Sequence, residues 1–346
     1  MTATPSTTTT ITPTITPTGA PTTAPLATAG LSAGFVLMWS SGFIGGRLGT
    51  ATAATVTLMV WRFAIVAVAL AALAWVLRRV RRHTARALSR RELGTQALVG
   101  LLGQGVYIWT NVGAIEAGVG AGTAALIAAL QPITAGALAG PVLGERVTAR
   151  QWVGLIVGLL GVVLVVGADL TSGHAAVWWA YALPFVGMAA LVVATLLERR
   201  TTAASTPILD ALSIQTAASA VLFVVLALAT GQLAPPPEHL GAFTVAVAWF
   251  IGFSTIGAYG CYWLTLRRTT LTHLSSLIYL TPPTTMLWAW LMFGDAVAPR
   301  ALLGIAICAL AVALVHRPAP QLPGRRKGSP SPGRNRTRSP APVASR

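Results

Sequence analysis

The side chains that could do chemistry in this chain are few, and most of them stand inside long apolar runs. Arg62 is the sharpest case. It lies about nine residues into its run, and at a helical rise of about 1.5 Å per residue that is about 13 Å deep, near a bilayer midplane. A cation there costs roughly 2.5 to 3.5 kcal/mol on insertion scales, so it needs a partner or a wet cavity. Two readings fit: a counter-ion for a carboxylate-bearing solute, or a structural cation that caps backbone carbonyls or pairs with Glu116. Gln215 stands at comparable depth in the second half of the chain and reads either as a site residue or as an interhelical hydrogen-bond former. Gln104, Tyr107 and Asn111, spaced by three and four, project from one helix face. Tyr259 repeats the theme with Ser254, Tyr262 and Trp263, and Trp39 and Ser40 add to it. Such a stripe suits either a cavity for small amphipathic solutes or ordinary interhelical packing. Pro132 and the pair Pro282-Pro283 fall mid-run, where a missing N–H kinks a helix and marks a hinge or a static bend. Gln131 and Tyr279, beside those prolines, are candidate cavity residues.

The same inventory excludes other chemistries. It holds no His, Cys, Asp and Glu cluster at metal-ligand spacing, no Gly-rich phosphate loop and no paired carboxylates within the apolar runs, so no cofactor, metal or enzymatic reaction is expected. Glu116 reads as a proton-coupling carboxylate or a solvated edge residue, and His273 as a titrating group or a plain polar one. Cys261 and Cys308 lie in apolar runs, as small buried side chains rather than a disulfide.

The elements that must position these residues follow from composition. With 54% hydrophobic and 9% charged residues among 346, and a mean hydropathy of +0.70, the chain cannot hide its apolar surface inside a soluble globule. Runs of about 20 apolar residues, enough to cross a hydrocarbon core, are predicted near 30–48, 53–77, 94–113, 119–141, 149–168, 175–197, 206–230, 242–266, 271–293 and 298–316. The net charge of +16 is a topology signal rather than a nucleic-acid signal. Arg78, Arg79, Arg81, Arg82, Arg86, Arg90 and Arg91 share a loop, and Arg146, Arg150, Arg199, Arg200, Arg267 and Arg268 fall in loops of the same side, against Arg47 and Arg300 opposite. Both termini are therefore expected in the cytoplasm. Residues 1–28, rich in Thr and Pro, and the basic stretch 317–346 read as disordered tails.

The chain also repeats itself at an offset of 150 residues: Leu130 and Pro132 return as Leu280 and Pro282, Gly144-Glu145 as Gly294-Asp295, Arg150 as Arg300 and Gly154 as Gly304. Two units, 30–168 and 175–316, each hold five spans, and an odd number forces the second to enter the bilayer inverted. Inverted repeats with interrupted helices are the layout of a carrier. Gly154, Gly158 and Gly161, with Gly304 and Cys308, make small-residue faces for close packing between helices or in a homodimer.

The run Gly-Ala-Gly-Thr-Ala-Ala-Leu-Ile-Ala-Ala-Leu-Gln-Pro at 120–132, with Leu-Gly-Glu-Arg at 143–146 and Gln-Trp-Val-Gly-Leu at 151–155, resembles the first EamA repeat of the drug/metabolite transporter superfamily. Gly257-Ala258-Tyr259, the stretch Ser276 to Pro283 and Phe293-Gly294-Asp295 resemble the second, although Asp295 stands where the family usually has Glu. The resemblance implies an all-α polytopic membrane protein of ten transmembrane helices, with a central cavity walled by the first four and the sixth to ninth. It implies a carrier that exports small organic metabolites, amino acids or amphipathic compounds across the plasma membrane, with a coupling proton or an exchanged solute as partner. A channel, or a membrane enzyme without a recognisable motif, is the competing class.

Overall fold

The computed structural model describes residues 25–81, 88–144, 149–170, 176–201, 206–266, 268, 277–295 and 298–316. His273, Glu145 and both predicted tails beyond these bounds lie outside the described residues. The helices are α1 (Pro25–Thr50), α2 (Thr55–Arg81), α3 (Arg90–Glu116), α4 in two pieces (Ala121–Ala128 and Gln131–Leu143), α5 (Ala149–Leu170), α6 (Ala182–Arg200), α7 (Ile208–Thr230), α8 (Leu240–Trp249, Phe250–Gly257 and Ala258–Leu266 in one run), α9 (Thr281–Phe293) and α10 (Pro299–His316). No strand occurs among the described residues. Helices α1 to α8 are each long and apolar enough to cross a bilayer, and α10 carries a shorter apolar stretch, Pro299–Ala311. The chain is an all-α multi-pass membrane protein of ten helices, two inverted sets of five.

The 150-residue repeat reappears in the backbone. The second piece of α4 ends on Gly144 and α9 on Gly294, both at φ 72° and ψ 15°. A left-handed residue there lets its N–H return to the carbonyl four residues back, Gly140 and Trp290 respectively, and only glycine adopts it without strain. The helix breaks match as well. Leu130 N–H bonds to Ile127 and Leu280 N–H to Leu277, and the hydroxyls of Thr134 and Thr284 turn back to the carbonyls of Leu130 and Leu280. The prolines fall in the first turn after each break, where a missing N–H leaves no partner unsatisfied. Sequence places the kink at Pro132; the break itself is at Ala129–Leu130, and the proline starts the next piece.

Packing obeys the same pseudo-twofold. Helix α1 packs on α8 and α9, and its counterpart α6 packs on α3 and α4. The self-related pairs α2–α7 and α4–α9 meet across the axis, and Phe63 stacks on Phe223 at 5.3 Å between α2 and α7. The α5–α10 pair is the third. The Cys308 thiol donates to the Gly158 carbonyl at 3.4 Å, and a Cβ on Gly161 would come within 2.8 Å of the Gly304 carbonyl. The small-residue face predicted for helices or protomers is thus used between two helices of one chain.

Helix α3 begins at Arg90, four residues before the predicted apolar run. Ser89 and Glu92 form a reciprocal capping box, Glu92 N–H donating to Ser89 Oγ at 3.2 Å and Ser89 N–H to Glu92 Oε2 at 2.8 Å. Two further irregularities were not predicted. Segments Leu101–Val106 of α3 and Phe250–Gly257 of α8 are π-helical, at equivalent places in the two halves.

Candidate functional site

Each π segment turns polar groups toward the helix that crosses it, as widened turns often do at functional sites. In α3 this is Gln104, in α8 Thr255. Helix α7 answers the first with Gln215, and α2 answers the second with Arg62. The two links are pseudosymmetric but chemically unequal. Gln215 is well partnered: its Oε1 accepts from Gln104 Nε2 at 3.2 Å, and its Nε2 donates to Gln96 Oε1 at 2.7 Å. Thr216 donates to Gln104 Oε1 at 3.3 Å, and Ser219 to the Gly100 carbonyl at 3.1 Å. This ladder is interhelical glue between α3 and α7. Replacing Gln215 by Leu leaves Gln96 and Gln104 short of a partner. We expect a loss of about 1 kcal/mol, the scale of interhelical hydrogen bonds in membranes, read as a lower melting temperature in detergent with solute selectivity unchanged.

Arg62 is different. It is 5% exposed, and its Nη2 donates to Thr255 Oγ1 at the long distance of 3.5 Å. Its guanidinium sits over Phe250 at 4.6 Å and Phe63 at 5.1 Å. A guanidinium has five N–H donors, and no carboxylate among the described residues pairs with it. Glu116, one of the partners considered for it, is engaged elsewhere, its Oε2 accepting from Thr55 N–H at the start of α2, at 3.1 Å. There the carboxylate meets the positive end of the helix dipole.

Tyr259 stands one turn beyond Thr255 on α8. Its ring meets Trp39 edge-on at 6.4 Å, and Phe35 joins the cluster at 5.4 Å from Trp39. Trp39, Tyr107 and Gln131, with Thr281, line a small cavity of about 20 Å³ at the α4 break. That is room for about one water, so a larger solute requires the broken helices to move. Trp39, Tyr107 and Gln131 therefore share one wall, which Tyr259 reaches through Trp39, while Arg62 contacts Thr255, Phe63 and Phe250. Gln104 and Gln215 form the ladder between α3 and α7. Asn111 bonds through Nδ2 to the Tyr107 carbonyl at 2.8 Å, and its buried Oδ1 meets no partner among the described residues. Tyr279 lines a separate apolar pocket of about 90 Å³ with Pro282 and Pro283.

A larger cavity of about 550 Å³ opens at the end of the bundle that carries Arg47 and Asp295. Those two form an ion pair of 3.5 Å across the halves at its rim, and Asp169 in its wall accepts from Gly120 N–H and the Tyr181 hydroxyl. The first piece of α4 and helix α9 wall both cavities, and Met286 lies against Gly122 between them. Sequence reasoning missed Thr255, Thr281 and Asp169, because nothing in local spacing tells which face a π turn presents or which loop ends meet.

Comparison with known proteins agrees with this architecture. The family model described as the EamA-like transporter family matches twice, over residues 27–167 and 178–317. A probable terminal-alkyne amino-acid exporter of Streptantibioticus cattleyicolor is 31% identical over 308 residues, covering 86% of this chain and 95% of its own. The chloroplastic WAT1-related protein At3g02690 of Arabidopsis thaliana is 26% identical over 212 residues, 57% of this chain and 49% of its own. A solved crystal structure with 19% identity covers 84% of this chain and 97% of its own at a TM-score of 0.57, a likeness of fold. Two matches laid end to end over two inverted helical sets leave one assignment, and the chain belongs to the EamA-like transporter family.

Proposed function

We propose that this chain is a secondary-active exporter of small organic solutes that carry a carboxylate, amino acids foremost, working by alternating access in the plasma membrane with both termini in the cytoplasm. One observation carries the substrate class: Arg62 is buried in the span of α2 with no acidic partner among the described residues, its guanidinium held by Thr255 and the rings of Phe63 and Phe250. A cation held in that way favours any solute that brings the missing carboxylate, because a charge-assisted bond replaces a poorly solvated guanidinium. The amino-acid exporter among its relatives supports the same class. The arginine-rich loops support the orientation, and the paired breaks in α4 and α9 support a hinge, driven by a coupling proton or by an exchanged solute. In this reading the 550 Å³ cavity faces outward as the release vestibule.

Counterflow in proteoliposomes tests it. Vesicles preloaded with neutral amino acids should accumulate the labelled solute, while the decarboxylated amines should neither accumulate nor compete. Competition by amines equal to that of the amino acids would sink the substrate class, and a steady ionic current without solute exchange would favour a channel.

A further inference from the structure

The cavity of about 550 Å³ falls within the range of about 300–1,000 Å³ typical of small-molecule sites. Three of its lining residues carry charge: Arg47 near the end of α1, Asp169 near the end of α5 and Asp295 just past the end of α9. Asp169 accepts from Gly120 N–H at 3.3 Å and from the Tyr181 hydroxyl at 3.1 Å. Arg47 and Asp295 are held more loosely. Arg47 Nη2 donates to Asp295 Oδ1 at 3.5 Å, and the guanidinium faces the Phe293 ring at 5.4 Å. The other four guanidinium N–H donors and the second oxygen of Asp295 make no hydrogen bond among the described residues. The two side chains are 39% and 35% exposed, and an ion pair so open to water contributes little to stability. Nor is the pair a packing element that the repeat requires, since the 150-residue offset gives Arg47 the counterpart Leu197.

A cation of the first half and an anion of the second thus meet weakly at the rim of a large cavity. Val165, Met286, Ala289, Phe293 and Ala301 give that cavity apolar wall. Charge-assisted hydrogen bonds are strong at about 2.7–2.9 Å, so a solute with both a carboxylate and an ammonium group can replace one long contact by two good ones. We propose that this cavity is a solute site in its own right, taking a zwitterionic amino acid with an apolar side chain, Arg47 receiving the carboxylate and Asp295 the ammonium group. Its lining includes neither Arg62 nor the residues at the α4 break. Its place in the cycle, as the last station before release, rests on the outward reading of the cavity given above; the binding itself does not. A lone carboxylate meets Arg47 beside the two acidic side chains of the wall, and a lone ammonium leaves Arg47 unanswered.

The test is equilibrium binding of radiolabelled leucine to the full chain in nanodiscs. The competitors are 4-methylpentanoate and 3-methylbutylamine, which keep the side chain and lose one charge each. The wild type should prefer leucine to either by at least about tenfold, the size of one charge-assisted bond. Arg47→Gln should bring leucine down to the level of the amine, Asp295→Asn should bring it down to the level of the acid, and Arg47→Lys should keep part of the preference. Leucine binding intact in both neutral variants would overturn the proposal. So would an equal loss for all three solutes, the mark of a purely structural tie. The same series in the Arg62→Gln background separates this site from the function proposed above. There the pattern should persist; if leucine binding is lost with Arg47 and Asp295 intact, the rim site has failed and the reading of Arg62 stands. If Arg62→Gln changes neither binding nor counterflow while the pattern holds, the reading of Arg62 has failed and the rim site stands.

Discussion

Replacing Arg62 by Gln should cut counterflow of a carboxylated solute on the order of 30-fold or more while leaving the melting temperature of the purified protein unchanged or raised. The two halves of that result have separate causes. Losing one member of a buried, hydrogen-bonded charge pair costs about 2 to 5 kcal/mol, and the lower figure is about 30-fold. In the solute-free protein, however, Arg62 has one long hydrogen bond to Thr255 and two ring faces to offset its burial. A neutral side chain of similar reach relieves that desolvation, the usual trade between a strained site and stability. Arg62→Lys should recover part of the transport, since a point charge keeps the attraction but loses the planar fork. A structural cation would give the reverse: Arg62→Gln melting several degrees lower with solute selectivity intact.

The second large effect is expected at Gly100. A Cβ there would stand 2.4 Å from Gln215 Cα and 2.5 Å from its carbonyl oxygen, so the intruding atom meets backbone that cannot rotate away. The close approach of α3 and α7 also lets Ser219 reach the Gly100 carbonyl and Gln215 reach Gln96. Gly100→Ala should cost about 2 kcal/mol or more, toward the upper part of the usual overpacking range, and Gly100→Val should abolish a monodisperse folded protein. Gly113, in the same helix with nothing within 4 Å of a built Cβ, is the control. There an Ala should stabilise by about 0.5 to 1 kcal/mol through helix propensity. Thermal melts in detergent decide the matter: similar shifts for Gly100→Ala and Gly113→Ala would show that the helices simply separate to make room.

Much of this protein was legible in its sequence, and the reason is the bilayer. Lipid forces every backbone N–H and C=O to be satisfied within its own segment, so a run of apolar residues is already a helix. The arginine-rich loops, the glycines at 144 and 294 and the prolines at 132 and 282 carry local signals that need no partner to be read. The repeat at 150 residues then specifies two units of five spans, and with them the family.

The site was only partly legible, because it depends on which faces meet. Gln215, at a depth comparable to Arg62, reads equally as a site residue or an interhelical hydrogen-bond former, and the structure shows it bonded to Gln104 across α3 and α7. Arg62 looks like a mate for Glu116, yet Glu116 is occupied by the first turn of α2 and Arg62 faces α8. Spans, breaks and duplication came from the sequence by itself, since each is decided by hydropathy, backbone freedom or the residue pattern along the chain. Which polar groups are partnered and which are left for a solute was decided by tertiary structure alone, since a buried hydrogen bond or charge is satisfied across helices far apart in the chain, and the two π turns that re-aim Gln104 and Thr255 have no spacing rule that announces them.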